Sequence, residues 1–202
     1  QIQLPNKWET YTRNVIKKKF YVDLIRTKRL IKKYGKVEFI FAKSLNEKKS
    51  FLDILIKQKK QELSKIDIHS LGEDDLNFYK NFENYEKKKY TTQVSAIKLD
   101  GNVIAIHWGI VSKDYFYYLL PTMKSEGLKQ FSPGKLLLSL LIRWSISKKI
   151  KIFDFGFGEE DYKKKWSNST KTIYNYIKLK KIKAVPFYLM FRLRQAVKYL
   201  KR

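Results

Sequence analysis

Cysteine is absent from all 202 residues, which excludes disulfides, thiolate metal sites and a cysteine nucleophile. Histidine occurs only at His69 and His107, too few for a histidine-rich metal centre, and no metal is expected. No apolar run approaches a bilayer-spanning length, and Gln1 follows neither a methionine nor a signal sequence. The chain therefore reads as a piece cut from a longer cytoplasmic protein. Acidic residues are scarce too, with 19 Asp and Glu against 44 Lys and Arg, for a net charge of +25 and a pI near 9.9. That balance points to nucleic acid, an anionic membrane or a polyanionic substrate. Lysine runs at 17–19, 57–60, 87–89 and 163–165 fit equally well a compositional bias with no ligand behind it. There is no internal repeat and no low-complexity linker.

What the chain does have is enough apolar surface for one sizeable core: 44% of residues are hydrophobic and 15% aromatic. Residues 1–34 read as two helices, the first opening near Asn6, the second carrying Phe20, Leu24, Leu30 and Ile31 and closed by Gly35 as a C-cap. Strand alternation follows at 37–41, then a helix at 47–63, a loop at 65–71, and a helix from Asp74 whose Phe78, Tyr79, Phe82 and Tyr85 recur at helical spacing. Residues 92–99 and 103–111, joined by Asp100-Gly101-Asn102, make an antiparallel hairpin, and 115–120 adds a third strand. Residues 172–180 alternate as a final strand. Pro186 opens an amphipathic terminal helix, basic on one side, which either packs on the domain or rests on an anionic membrane at its inner face.

Function is argued from Phe131-Ser132-Pro133-Gly134-Lys135 and the apolar helix it opens. Ser132 stands at the N-cap and Pro133 in the first turn, so the N–H groups of Gly134, Lys135 and Leu136 are expected to point out unsatisfied. Free donors, the helix dipole, a glycine and a lysine together suit a phosphate; an ordinary capped helix that binds nothing is the plain alternative. Beyond the helix a short strand at 151–155 ends at Gly156 and Gly158, and Glu159, Glu160 and Asp161 stand where a helix dipole favours carboxylates.

This order of elements, with the words SPGKLLL and FDFGFGEEDYKKKW, resembles the acyl-CoA N-acyltransferase (GNAT) superfamily. More narrowly it resembles the CelD-type acetyltransferase-like domains and, at greater distance, the Fem-type peptidyltransferases. The resemblance implies a mixed, mostly antiparallel sheet with a splayed parallel strand pair and helices on both faces. Residues 36–182 would form the acyltransferase domain, 1–35 a helical segment linking it to a preceding domain, and 183–202 a basic C-terminal helix. It implies acetyl-CoA or another acyl-CoA as co-substrate, its pyrophosphate at Ser132, Gly134, Lys135 and Leu136. Backbone N–H groups of Tyr118, Leu119 and Leu120 would serve the thioester carbonyl. The superfamily's usual pair of closely spaced glycines is reduced here to Gly134.

In Fem-type enzymes an aromatic-lysine pair followed by another aromatic occupies the place of Tyr162, Lys163 and Trp166, which nominates Lys163 as catalytic. Lys164 and Lys165 would project elsewhere. Asp154 stands where a base is needed, yet equally suits hydrogen bonding to the turn that follows it. His107 is a second candidate base, against a packed strand histidine. The expected reaction carries an acyl group to an amine or hydroxyl on a surface-polymer or cell-envelope precursor. Two alternatives remain: a Fem-type transferase using aminoacyl-tRNA, and a non-catalytic basic module for nucleic acid or anionic lipid.

Overall fold

The computed structural model describes residues 1–64, 78–79, 81–82, 89–124, 127–158, 160–174 and 176–200. Two compact units are present, Gln1–Thr170 and Lys171–Arg202.

The larger unit is built on a six-stranded sheet. Its elements in chain order are β1 (Ile2–Gln3), α1 (Trp8–Asn14), α2 (Lys18–Ile31), β2 (Val37–Phe41), α3 (Leu45–Ser64), β3 (Tyr90–Leu99), β4 (Asn102–Ser112), β5 (Tyr115–Met123), α4 (Pro133–Ser147), β6 (Ile152–Asp154) and α5 (Asp161–Trp166). The strand order is β1-β6-β5-β4-β3-β2, antiparallel except for β5 beside β6. Strand–helix–strand connection through α4 produces that one parallel pair, as the crossover rule requires.

Each face of the sheet carries its own apolar core. On one side α1, α2 and α4 bury Tyr11, Leu24, Ile31, Leu137 and Leu141 against Phe116, Tyr118 and Phe153. On the other, Phe51, Leu52 and Leu55 of α3 pack on Val94, Ala96, Ile106 and Trp108. α4 is apolar nearly all round because it lies inside the first core. The helices within residues 1–35 share that core, and Tyr11 donates its hydroxyl to the Trp166 carbonyl at 2.7 Å. α3 opens with a reciprocal cap: the Glu47 N–H donates to Ser44 Oγ at 3.2 Å, while Glu47 Oε2 accepts from the N–H groups of Lys43 and Ser44 at 2.8 and 3.1 Å.

Two expectations need correction. Gly35 does not cap α2, which ends at Ile31; it is glycine because a Cβ there would lie 2.1 Å from the Asp100 carboxylate, which accepts the Lys36 N–H at 2.8 Å. Residues 172–180 contain no strand among those described, and Tyr174 and Tyr176 are almost fully exposed. Alternation alone does not make a strand without a hydrogen-bonding neighbour, and the outer edge of β6 is taken by β1, a strand too short to announce itself in the sequence. The loop expected at 65–71 and most of the helix expected from Asp74 lie outside the described residues. In the smaller unit, α6 (Val185–Leu200) forms with Pro186 in its first turn, as expected.

Candidate active site

The β5–β6 pair opens after three registers, Tyr115 with Ile152, Phe116 with Phe153 and Tyr117 with Asp154. At the same level β5 carries an irregularity against β4. Gly109 faces Tyr118 while its neighbour Trp108 faces Leu120, so Leu119 has no partner residue in that ladder. This is a β-bulge, and it re-aims the side chains beyond it: Tyr118 packs into the core under α4, but Leu120 turns to the opposite core under α3. Splay and bulge together open a cleft of about 1080 Å³ that reaches residues on both faces of the sheet.

The start of α4, Ser132 to Lys135, lines one end of the cleft. Ser132 adopts a left-handed conformation, φ 41°, and its side chain makes no cap. Its carbonyl instead accepts the N–H groups of Lys135 and Leu136, at 2.9 and 3.2 Å. That corrects the expectation of three outward donors, because the turn's own geometry uses two and leaves Gly134. A Cβ on Gly134 would touch the Met123 sulfur at 3.0 Å, so glycine keeps this wall open. Lys135 is not a free cation either. Its ammonium pairs with Asp23 of α2 and stands 5.6 Å from the Phe20 ring centre. The Lys135 hydrogen bond, then the one from Arg26, holds the Asp23 carboxyl below the usual carboxylate range.

The middle of the cleft is Tyr118, Leu119, Leu120, Phe155, Gly156 and Phe157. Asp154 accepts the Gly156 N–H through Oδ1 at 2.7 Å, and Gly156 has φ 68°, so the aspartate organises the turn that shapes this wall. Lys163 is 8% exposed and borders the cleft. Its ammonium donates to the Phe157 carbonyl and pairs with Glu160 at 2.8 Å; that hydrogen bond is the first cause of the lowered Glu160 pKa. Lys164 is exposed, while Lys165, expected to point elsewhere, also borders the cleft.

His107 is no base facing a cleft. It is fully buried, stacked on Tyr118 with ring centres 4.4 Å apart, and neither ring nitrogen has a hydrogen-bond partner among the described residues. Burial pushes its pKa down to about 3, so the ring is neutral. Its place is structural, under the Tyr118 ring at the bulge.

Sequence reasoning missed the residues that meet here from far away in the chain: Phe20 and Asp23 of α2, Lys59 and Glu62 of α3, and Thr122 of β5. No local word marks them, since each sits on an otherwise ordinary amphipathic element.

The chain belongs to the acetyltransferase (GNAT) domain family, whose model matches residues 18–164. Among solved structures it is similar to a conserved protein of unknown function from Bacteroides thetaiotaomicron, at 11% identity and a TM-score of 0.50, over 70% of this chain and 46% of that one. It is also similar to an aminoglycoside acetyltransferase from an uncultured soil metagenomic sample, in complex with sisomicin, at 11% identity and a TM-score of 0.47, over 72% of this chain and 97% of that one. This chain thus spans under half the length of the first. No curated protein matches it.

Proposed function

We propose that this domain transfers an acetyl or other acyl group from acyl-CoA to an amine, or to a hydroxyl, of an acceptor in surface-polymer or cell-envelope precursor metabolism. The observation that carries the reading is the cleft that joins the start of α4 to the Leu119 bulge. Bound acyl-CoA supplies an activated thioester carbonyl; the chain supplies the surroundings. Gly134 gives its N–H and a bare backbone to the pyrophosphate, and Lys135 supplies charge once it leaves Asp23. The residues fit such a ligand, because glycine keeps the wall at Gly134 open and the cleft holds about 1080 Å³. The backbone N–H groups at Leu119 and Leu120 are the donors offered to oxygen as negative charge develops. Lys163, at the cleft wall, is the side-chain donor proposed to assist them. Asp154 acts by holding the Gly156 turn.

The charge of +25 supports an aminoacyl-tRNA donor as the second reading. Residues 171–202 hold ten Lys and Arg and no Asp or Glu, and Phe187, Leu193 and Ile182 are exposed, which supports an anionic membrane contact for this unit at the inner face of the membrane. Calorimetry tests the donor. Acetyl-CoA should bind and keep most of its affinity at raised salt, whereas aminoacyl-tRNA binding should fall steeply with ionic strength. Binding of the tRNA alone would replace the first reading with the second.

A further inference from the structure

We propose that the α3 side of the cleft is a subsite for a protonated amine and that Glu62 is its counter-ion and proton acceptor; the inference rests on the acyl-transfer reading. Glu62 stands in the last turn of α3 and lines the cleft. Its Oε2 accepts from Thr122 Oγ1 at 3.1 Å and pairs with Lys59 Nζ at 3.1 Å, and Lys59 in turn donates to the Pro121 carbonyl at 3.4 Å. The carboxylate is therefore fixed to β5 two residues beyond Leu120, a separation of about 7 Å along a strand. Its side chain remains about half exposed to the cleft, at 47%.

Two features there favour a cation. Glu62 brings a half-exposed carboxylate, which shares its charge with the Lys59 ammonium and keeps capacity to accept a second donor. Phe78, exposed, and Tyr79 line the same wall and offer aromatic faces of the kind that attract ammonium groups. Lys135 and Lys163 also line the cleft, each already paired with a carboxylate, Asp23 and Glu160.

In the reaction the acceptor ammonium gives one proton to the Glu62 carboxylate. The freed nitrogen pair forms the N–C bond at the thioester carbonyl, the C–S pair leaves with sulfur, and a second N–H proton passes to that sulfur. Amide, thiol and one proton on Glu62 are the products.

The test uses n-hexylammonium and its neutral counterpart n-hexanol on the whole chain. Without any acyl donor, ligand-observed NMR titration at neutral pH should show the ammonium binding about tenfold more tightly than the alcohol. Glu62→Gln should abolish that preference, and so should Glu62→Ala, with the fold checked by circular dichroism. Equal binding of both probes to the unaltered chain, or a preference surviving in the Glu62 variants, overturns the proposal. With acetyl-CoA added, Glu62→Gln should lower acetyl transfer to hexylammonium about 100-fold while acetyl-CoA affinity is unchanged. Transfer within threefold of the unaltered chain would remove Glu62 as proton acceptor. Should acetyl-CoA fail to bind at all, the acyl-transfer reading falls, while the ammonium preference still decides the subsite.

Discussion

Replacing Lys163 by methionine separates its structural work from its proposed chemical work. Methionine keeps the apolar stem that fills the space between Phe157 and Glu160 but removes the ammonium. Two contacts go. The hydrogen bond to the Phe157 carbonyl has a charged donor, a kind typically worth about 1.5–3 kcal/mol. The pair with Glu160 involves a carboxylate 56% exposed, so it contributes about 0–1 kcal/mol. Two effects offset these losses: Phe157 is 79% exposed, so water can reach its carbonyl, and a largely desolvated ammonium no longer has to be held in the wall. The expected net cost is about 1–2 kcal/mol, a drop in Tm of about 2–8 °C for a chain of this size. The fold should survive and turnover stay measurable. If the ammonium also steadies the developing oxyanion, Lys163→Met should lower kcat at least about tenfold with KM for the donor nearly unchanged. Lys164→Met, 65% exposed and 3.8 Å from Asp161, is the control and should change neither rate nor Tm. The assay is thiol release from acetyl-CoA with a primary amine, alongside thermal unfolding. Equal turnover in the two variants, with only Lys163→Met losing stability, would leave Lys163 as a brace for the Gly156–Gly158 turn and refute its chemical role.

Other consequences are as direct. Because His107 has a folded pKa near 3 against about 6.5 unfolded, the unfolded chain binds more protons between those values; stability should be constant above about pH 6.5 and fall by up to about 1.4 kcal/mol per unit below it. Thermal unfolding from pH 8 to 4 checks this, and His107→Leu should flatten the slope; an equal slope in that variant would clear His107. Gly134→Val pushes only on the flexible Met123 side chain, so the fold should hold while acetyl-CoA affinity falls about tenfold or more by calorimetry; unchanged affinity would make Ser-Pro-Gly a plain helix start. Asp23→Asn should release Lys135 and tighten CoA binding about two- to fivefold, and weaker binding would show that the Asp23–Lys135 pair itself shapes the site. Residues 171–202 should carry the chain onto phosphatidylglycerol vesicles but not onto phosphatidylcholine, with Phe187→Ser weakening the contact; sedimentation with neither vesicle would end that reading.

Much of the scaffold was legible because its signals are local. Asp100-Gly101-Asn102 announces the hairpin, the run from Leu136 to Ile146 can only be a buried helix, and the strand–helix–strand order around it dictates a parallel pair. What escaped depends on partners distant in sequence. Asp23 meets Lys135 across 112 residues, and Thr122 meets Glu62 across 60. The two-residue β1 exists only because β6 offers it an edge, and residues 172–180 carry strand alternation without the ladder that would realise it. The Ser44–Glu47 spacing is that of a capping box, yet a helix expected only from residue 47 leaves this cap unread. The left-handed φ of Ser132 is not legible in Ser-Pro-Gly. Its carbonyl's bond to the Leu136 N–H is the ordinary first bond of a helix, and the added bond from Lys135 leaves only Gly134 of the three expected donors, beside a paired lysine.

A crystal structure of the chain with acetyl-CoA tests the central claim most directly. The account predicts the pyrophosphate against Gly134 at the start of α4 and the thioester carbonyl within about 3 Å of a backbone N–H at Leu119 or Leu120. A pyrophosphate elsewhere on the basic surface, with the β5–β6 splay empty, would contradict it.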